Sequence, residues 1–410
     1  MSVKKLISSH SPFDIEIDLP SSKSVSNRVL IINSLCDGCF SSIENLSQSD
    51  DTKVLSEALK KSNQIIIDIG AAGTAMRFLT AYFAQKDGCE VLLTGSQRMK
   101  ERPIAPLVGA LRQLGADISY AEKEGFPPLK IKGKELEGGK IKLPANVSSQ
   151  YISALMMIAP KMKKGLEISL EGEVVSLPYI EMTKKIMEHF GAKVLFEKQV
   201  LTIFKSNYNS TSFSVEADWS AASYWYALVL AQKQGTVLLR GLKKDSLQGD
   251  RAICDIFAKL GVETQFVKEG ARLFYSPTSI DEFEYDFVNQ PDLAQTVVVA
   301  CCLEKIRFCF SGLQSLKIKE TNRILALQNE AKKIGYILEE PSEGLLCWRG
   351  KTCAAEQNPF LKTYSDHRMA MAFAPAALKF LFLEIENPEV VSKSYPTFWS
   401  DLKKADFRLE

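Results

Sequence analysis

The densest chemistry in the chain lies between Leu19 and Arg28, which reads Leu-Pro-Ser-Ser-Lys-Ser-Val-Ser-Asn-Arg and runs into an apolar stretch, Val29 to Leu35. Hydroxyls, Lys23 and Arg28 sit where a loop becomes a helix. Backbone N–H groups at such a start lack partners inside the helix, and the peptide dipoles favour an anion there. Lys23 adds a point charge and Arg28 a fork of donors. The chemistry is that of a phosphate or carboxylate cradle. Taken alone, the stretch reads better as a plain helix start, with Ser24 or Ser26 as the cap.

The rest of the chain changes that reading. Helices that are apolar nearly all round are expected at Ser24–Leu35, Gly73–Ala84, Ser149–Ala159, Ser220–Ala231, Asp292–Leu303 and His367–Leu378. Each opens on small polar or charged residues: Lys23-Ser24, Gly73-Thr74, Ser148-Ser149-Gln150, Asp218-Trp219-Ser220, Asp292, and Asp366-His367-Arg368. Lys23, Arg28, Arg77, Arg98, Lys100, Arg102, Lys319, Arg323, Arg368 and Lys393 lie beside these openings. If the helix starts converge on one cleft, it would hold a multiply charged anion with backbone N–H groups and a few cations. Independent caps would not call for the accompanying Lys and Arg. Asp292 alone reads as a cap.

Amphipathic helices alternate with the apolar ones, at Asp51–Lys60, Ile104–Leu114, Tyr179–Phe190, Asp250–Leu260, Glu320–Ile334 and Pro396–Lys404. Glu320 and Arg323 are three apart on one of them and share a face. Four end on a glycine, at Gly115, Gly191, Gly261 and Gly335, 70 to 76 residues apart, as a left-handed C-cap requires. The apolar helices recur at the same interval from Gly73 onward. Short β-like runs lie between them, such as Ile65–Ile69, Glu90–Thr94, Lys140–Leu143, Thr236–Arg240 and Leu345–Trp348. The pattern is an internal repeat, and each unit reads strand, buried helix, strand, exposed helix, strand pair. Helices apolar on every side must sit inside, with sheets and amphipathic helices around them. An α/β fold of six units follows, three per domain. The expected domains are residues 19–217, and 1–18 with 218–410. The N-terminal strand, Lys4 to Asp18, is expected to close the last unit. No G-x-G-x-x-G supports a dinucleotide-binding alternative.

With 410 residues, two domains are the default, and a net charge of +2 gives no global field for nucleic acid or membrane. The N-terminus, Met1 to Phe13, has no signal-peptide pattern, and the apolar run Met369–Leu383 is too short to span a bilayer. Nine scattered cysteines and one C-x-x-C, Cys36 to Cys39, favour reduced thiols in a cytoplasm over a zinc site. Three histidines without clustered partners exclude a ligand role for His367.

LPSSKSVSNR, AAGTAMR, LTGSQRMKERPI, VSSQYISAL, SLPYIEMT, QGD, PDLAQT, KIKETNR and TYSDHRMAM, in this order, resemble the EPSP synthase branch of the enolpyruvyl transferase family, from Leu19 to about Lys393. The resemblance implies a two-domain inverse α/β barrel, each domain built of three β-α-β-α-β-β units. It implies transfer of the enolpyruvyl group of phosphoenolpyruvate to the 5-hydroxyl of shikimate 3-phosphate, with release of phosphate, on the shikimate pathway to chorismate and aromatic amino acids. It implies no metal and no cofactor, and small-molecule partners only. The thiol usage points to the cytoplasm, and no long apolar patch or edge motif demands a dimer, so a monomer is expected. By the family pattern Lys23, Gly73, Arg98, Gln150, Arg323, Arg368 and Lys393 hold phosphoenolpyruvate. Lys23, Ser24, Arg28, Ser148, Ser149, Gln150, Ser176, Tyr179, Asp292, Ser315 and Lys319 hold shikimate 3-phosphate. Asp292 takes the hydroxyl proton, with Glu320 and Lys23 as the other proton carriers.

Departures from the family pattern fall at Ser22, Ala71, Phe78 and Ser315, and none touches the acid–base set. The sister reaction on a UDP-sugar needs a reactive Cys that the loop Gln97–Pro106 lacks. An RNA-end cyclase would need a nucleotide-attachment His and a more basic surface. An inactive paralogue acting as an anion-binding module is the remaining alternative, and the retention of Lys23, Asp292, Glu320, Arg323 and Lys393 speaks against it.

Overall fold

The computed structural model describes residues 2–9, 11–36, 42–61, 65–146 and 148–410. His10 and Cys39, and with Cys39 the C-x-x-C, lie outside them. The chain forms two compact units, one made of Met1–Pro20 and Glu216–Glu410 and the other of Ser21–Val215. They are called here the split unit and the continuous unit.

Among the described residues the strands form five four-stranded sheets and one two-stranded sheet. In the continuous unit, Ile66–Asp68 pairs parallel to Glu90–Thr94, with the buried helix Gly73–Gln85 as the crossover. The hairpin Asp117–Tyr120 and Leu129–Lys132 then adds antiparallel, its second strand against Glu90–Thr94. Gly139–Pro144 and Leu166–Glu171, with Val194–Glu197 and Val200–Ile203, repeat this plan. A parallel pair needs a long crossover and an antiparallel pair a tight turn, so the plan accounts for a helix in the first link and none in the last. The first repeat is reduced to Ile43–Glu44 beside Phe213–Ser214.

The split unit uses the same plan three times. Its parallel pairs are Phe13–Asp18 with Gly235–Arg240, Glu282–Asp286 with Arg307–Ser311, and Phe360–Leu361 with Leu383–Glu386. The N-terminal segment is two strands and not the single one expected. Val3–Ser8 closes the last repeat, antiparallel to Leu383–Glu386 and Phe407–Leu409, whereas Phe13–Asp18 opens the fourth.

The helices apolar all round are the core. In Trp219–Gln232 and Ala294–Leu303 almost every residue is buried, because sheets or other helices cover each face. The amphipathic helices end as their glycines dictate. Gly115, Gly191, Gly261 and Gly335 all have positive φ, between 87° and 107°. After three of them the next N–H reaches back five residues, as Ala116 does to the Leu111 carbonyl at 2.9 Å.

Cys309 and Cys347 face each other on antiparallel strands, 4.1 Å apart at Cα, and are joined in a disulfide. For this pair the expectation of reduced thiols is corrected, whereas Cys36, Cys89, Cys254, Cys301, Cys302 and Cys353 are thiols, as expected. The pair's separation of 38 residues gives no spacing signal, and only the strand register brings the two together. No helix among the described residues is long and apolar enough to cross a membrane.

Candidate active site

In the continuous unit the helix Lys23–Ser34 starts one residue earlier than expected, and its cap is Ser22. The Ser22 hydroxyl accepts from the Val25 N–H at 3.4 Å. Ser24 and Ser26 are therefore not spent on capping, and the Ser26 hydroxyl instead accepts from the Ser47 N–H at 3.0 Å. Lys23 pairs with Asp51 at 3.1 Å, in a site where the two side chains are 14% and 6% exposed. Sequence reasoning did not assign Asp51. It sits in the first turn of Asp50–Lys60, where the helix dipole favours a carboxylate.

Arg28 is buried and ties three helices together. Its Nε donates to Thr183 Oγ1 at 2.7 Å, Nη1 to the Ser24 carbonyl at 2.9 Å, and Nη2 to Ser153 Oγ at 3.2 Å. Burial lowers its pKa to about 10, with the Tyr179 hydroxyl acting in the opposite direction. The Tyr179 ring centroid lies 5.9 Å from the guanidinium carbon. Ser176 precedes Leu177–His189 with φ at 55°, a left-handed conformation rare for a residue with a Cβ, and its side chain makes no cap bond.

The helix starts at Gly73 and Ser149 are linked, because Gln150 Nε2 donates to Thr74 Oγ1 at 3.2 Å. Ser148 caps the second of these helices, accepting from the Gln150 N–H, and Ser149 is buried. Gly73 lies directly against a guanidinium: a Cβ there would be 2.5 Å from Arg102 Nη1. Arg77 donates to the Gly73 carbonyl at 3.1 Å. Arg98 stands apart from this packing, about half exposed and paired with Glu101 at 3.2 Å.

In the split unit the candidate residues meet around Arg323, which is 2% exposed. Its Nε donates to Asp366 Oδ2 at 2.7 Å, Nη1 to Asp292 Oδ1 at 3.1 Å, and Nη2 to Glu320 Oε2 at 2.9 Å. Three carboxylates thus share one guanidinium and hold its pKa above the ordinary arginine value, although burial works against them. Lys393 Nζ donates to the other oxygen of Glu320 at 2.9 Å. The helix carrying Arg323 spans Arg323–Lys333 and not the expected Glu320–Ile334, because Asn322 caps it. Glu320 sits in the preceding turn and still reaches Arg323.

Asp292 lies in a 3-10 turn, Pro291–Leu293, that feeds Ala294–Leu303, and neither helix start has a side-chain cap. The cap reading of Asp292 fails. Its Oδ2 accepts from Arg368 Nη2 at 2.8 Å and its own carbonyl from Arg368 Nη1 at 3.0 Å. Burial pushes this carboxyl up, but Arg368, Lys319 and Arg323 together outweigh burial and hold it well below the usual carboxylate range. The cap of His367–Phe373 is Asp366, which accepts from the Arg368 N–H at 2.9 Å while also holding Arg323. Asp366 was missed as a site residue, although it lies inside the stretch TYSDHRMAM. Ser315 is half-buried in the 3-10 turn Gln314–Ile318, ahead of Lys319. His367 is buried, with Nδ1 3.6 Å from Asp366 Oδ1. Among the described residues no group of three His, Cys, Asp or Glu is placed to hold a metal ion.

Each unit therefore carries one set of groups. The continuous unit offers Lys23 and hydroxyl-lined helix starts, suited to phosphate and hydroxyl groups. The split unit offers guanidinium and ammonium groups interleaved with carboxylates, suited to binding a carboxylate or phosphate and to moving protons.

A sequence model of the family described as EPSP synthase (3-phosphoshikimate 1-carboxyvinyltransferase) matches residues 56–402. A protein of Bacteroides fragilis strain YCH46 named 3-phosphoshikimate 1-carboxyvinyltransferase is 50% identical over 409 residues, covering 100% of this chain and 99% of that one. One of the same name from Haemophilus influenzae strain PittGG is 35% identical over 418 residues, covering 95% of each. The solved structure of EPSP synthase from Acinetobacter baumannii superposes with a TM-score of 0.80 at 18% identity, covering all of both chains, which establishes the shared fold.

Proposed function

Because the chain belongs to the EPSP synthase family, we propose that its two sets of groups carry out the two halves of an enolpyruvyl transfer. The enzyme adds the 5-hydroxyl of shikimate 3-phosphate to C2 of phosphoenolpyruvate while C3 gains a proton. The tetrahedral adduct then loses that phosphate and a C3 proton to give the enolpyruvyl ether. The inactive-paralogue alternative has no support.

Lys23, Ser24, Arg28, Ser148, Ser149, Gln150, Ser176 and Tyr179 are the continuous unit's contribution, with Ser315 and Lys319 from the split unit also on shikimate 3-phosphate. Arg28 acts partly by locking Ser24, since it holds the Ser24 carbonyl. Lys23, Gly73, Arg98 and Gln150, with Arg323, Arg368 and Lys393, receive phosphoenolpyruvate. Four of the five Arg323 N–H groups already point at carboxylates, so a substrate anion must exchange with them rather than find them idle.

Asp292 is the base for the 5-hydroxyl. A carboxylate held far below neutrality is a weak base, and a general base works best with its pKa near the working pH. Anions arriving on Arg368, Arg323 and Lys319 cancel the charges that depress Asp292, so binding itself raises its basicity. Glu320, bridging Arg323 and Lys393, and Lys23, paired with Asp51, carry the remaining protons. The enzyme is taken as a cytoplasmic monomer that uses small molecules alone, and its two compact units as two domains of three repeats.

The observation that carries this reading is the double hold of Arg368 on Asp292. Phosphate release from phosphoenolpyruvate, with and without shikimate 3-phosphate, tests it on wild type and Asp292→Asn. Release should need both substrates and fall by about 10²–10⁴ in the variant. Release that survives the substitution removes Asp292 from the role of base.

A further inference from the structure

Asp250 is a buried carboxylate that the transfer reaction does not use. It lies in the 3-10 turn Gly249–Ala252 and is 4% exposed. We propose that Asp250 is a positioning residue for the transfer, holding the Arg368 guanidinium in place through the hydroxyl of Ser220. The inference rests on the reading above, in which Arg368 grips phosphoenolpyruvate.

The geometry fixes the direction of the relay. Arg368 Nη2 donates to Ser220 Oγ at 3.5 Å, and a guanidinium can only donate. The single Ser220 proton then has one place to go, and the hydroxyl donates to Asp250 Oδ2. Ser220 sits in the first turn of Trp219–Gln232, so a rigid buried helix sets its position. Nη2 is thus shared between Asp292, at 2.8 Å, and the Ser220–Asp250 pair. Arg368 stands between two carboxylates, one direct and one relayed.

The two carboxylates differ in what they can do. Asp292 must release Arg368 in part when a substrate anion arrives, since both compete for the same N–H groups. Asp250 meets Arg368 through the Ser220 hydroxyl. It supplies a hold that does not change when Asp292 and the substrate exchange. Its other oxygen, Oδ1, is buried without a hydrogen-bond partner among the described residues. An ionisable group in that state is costly to the fold, and packing alone gives no reason to keep it there. Its surroundings agree: burial first, then Asp292 and Asp218, push it up to about 7, while Arg368 and the Ser220 hydroxyl pull the other way. Tyr285 also feels its charge.

Steady-state kinetics on the full chain tests the relay, with each substrate varied separately for Asp250→Ala, Asp250→Asn, Ser220→Ala and Arg368→Lys. Asp250→Ala and Ser220→Ala should raise KM for phosphoenolpyruvate about tenfold, the scale of a hydrogen bond to a charged group. KM for shikimate 3-phosphate should stay within about twofold of wild type. Asp250→Asn keeps an acceptor for Ser220 and should restore most of the loss. The Ser220→Ala, Asp250→Ala double variant should be no worse than either single one. An Asp250→Ala enzyme whose phosphoenolpyruvate KM is unchanged, or whose two KM values rise together, overturns the proposal. If Asp250→Ala does not fold, an unchanged phosphoenolpyruvate KM in Ser220→Ala overturns it on the same terms. Arg368→Lys separates the premise from the inference. If it leaves that KM unchanged, the role given to Arg368 is wrong. If it raises KM and the Asp250 and Ser220 variants do not, only the relay is wrong.

Discussion

Arg368 holds Asp292 at two points, its carboxylate at 2.8 Å and its backbone carbonyl at 3.0 Å. The guanidinium therefore fixes both the side chain and the turn that carries it. In the proposed reaction a substrate anion takes over the carboxylate's share without releasing the turn, which keeps Asp292 in place while its charge environment changes.

Lys319 tests that environment. It is one of the cations that hold Asp292 below the usual carboxylate range, after Arg368 and ahead of Arg323. Removing a cation makes the charged carboxylate less favourable, so Lys319→Met should raise the pKa of Asp292. The acid limb of the pH–rate profile should move to higher pH. A limb that stays in place would show that Lys319 does not act on Asp292.

Arg323 is the stability counterpart. Arg323→Met leaves Asp292, Glu320 and Asp366 facing one another without their shared partner. Breaking a buried ion pair from one side costs about 3–5 kcal/mol, and the urea midpoint should fall accordingly. Arg323→Lys should recover little, because one ammonium cannot reproduce a planar fork aimed at three acceptors. A loss below about 1 kcal/mol would mean that Arg368 and Lys393 re-pair the carboxylates.

Gly73 and Arg102 should be coupled. A methyl group at Gly73 meets Arg102 Nη1 at 2.5 Å, and the guanidinium is the far end of a flexible side chain, so it can move aside. Gly73→Ala should cost about 1–3 kcal/mol and displace Arg102. Arg102→Ala in the same chain should relieve most of that cost. A double-mutant cycle in thermal unfolding measures the coupling, and additive effects would refute the contact.

Asp250 predicts a pH dependence of stability. Its pKa is raised in the folded chain, from 3.8 to about 7, so the native state binds the proton more tightly than the unfolded state. Stability is therefore highest below pH 4 as far as this group is concerned, and it falls as pH rises toward 7. Asp250→Asn removes the penalty. The variant should gain on wild type as the pH rises from about 4 to about 7, by a few kcal/mol, about 4 at most. Asp292 has the opposite sign: its contribution is present above pH 4 and disappears as the pH falls below it. A difference between Asp250→Asn and wild type that does not change with pH would rule out the raised pKa.

The sequence made the helix starts legible because two signals coincide there, a polar opening and an apolar run long enough to exclude a strand. The glycine ends were legible because a left-handed residue is needed one step past the last helical turn. Leu129–Lys132, Leu-Lys-Ile-Lys, is a strand that the sequence does not mark, because two apolar residues are too few to show a period. The cap was misplaced from Ser22 to Ser24 or Ser26 because neighbouring serines are chemically alike and only the backbone selects one. The opposing carboxylates were harder still. Asp51 lies 28 residues from Lys23, and Asp366 lies 43 from Arg323. A run of cations announces an anion site, whereas the acids that pair with those cations lie far from them in the chain, and each reads locally as an ordinary residue of a helix start.

The strands Val3–Ser8 and Phe13–Asp18 also bear on synthesis. The continuous unit is a single run of chain, so every strand and helix it needs has been made once residue 215 has left the ribosome. The split unit must keep its first two strands waiting until their partners, Gly235–Arg240 and then Leu383–Glu386, are translated. Its last sheet is complete only with Phe407–Leu409. The order of assembly is thereby set by the path of the chain: the continuous unit can mature first, and the unit that carries Asp292 and Arg323 only once Phe407–Leu409 has been made.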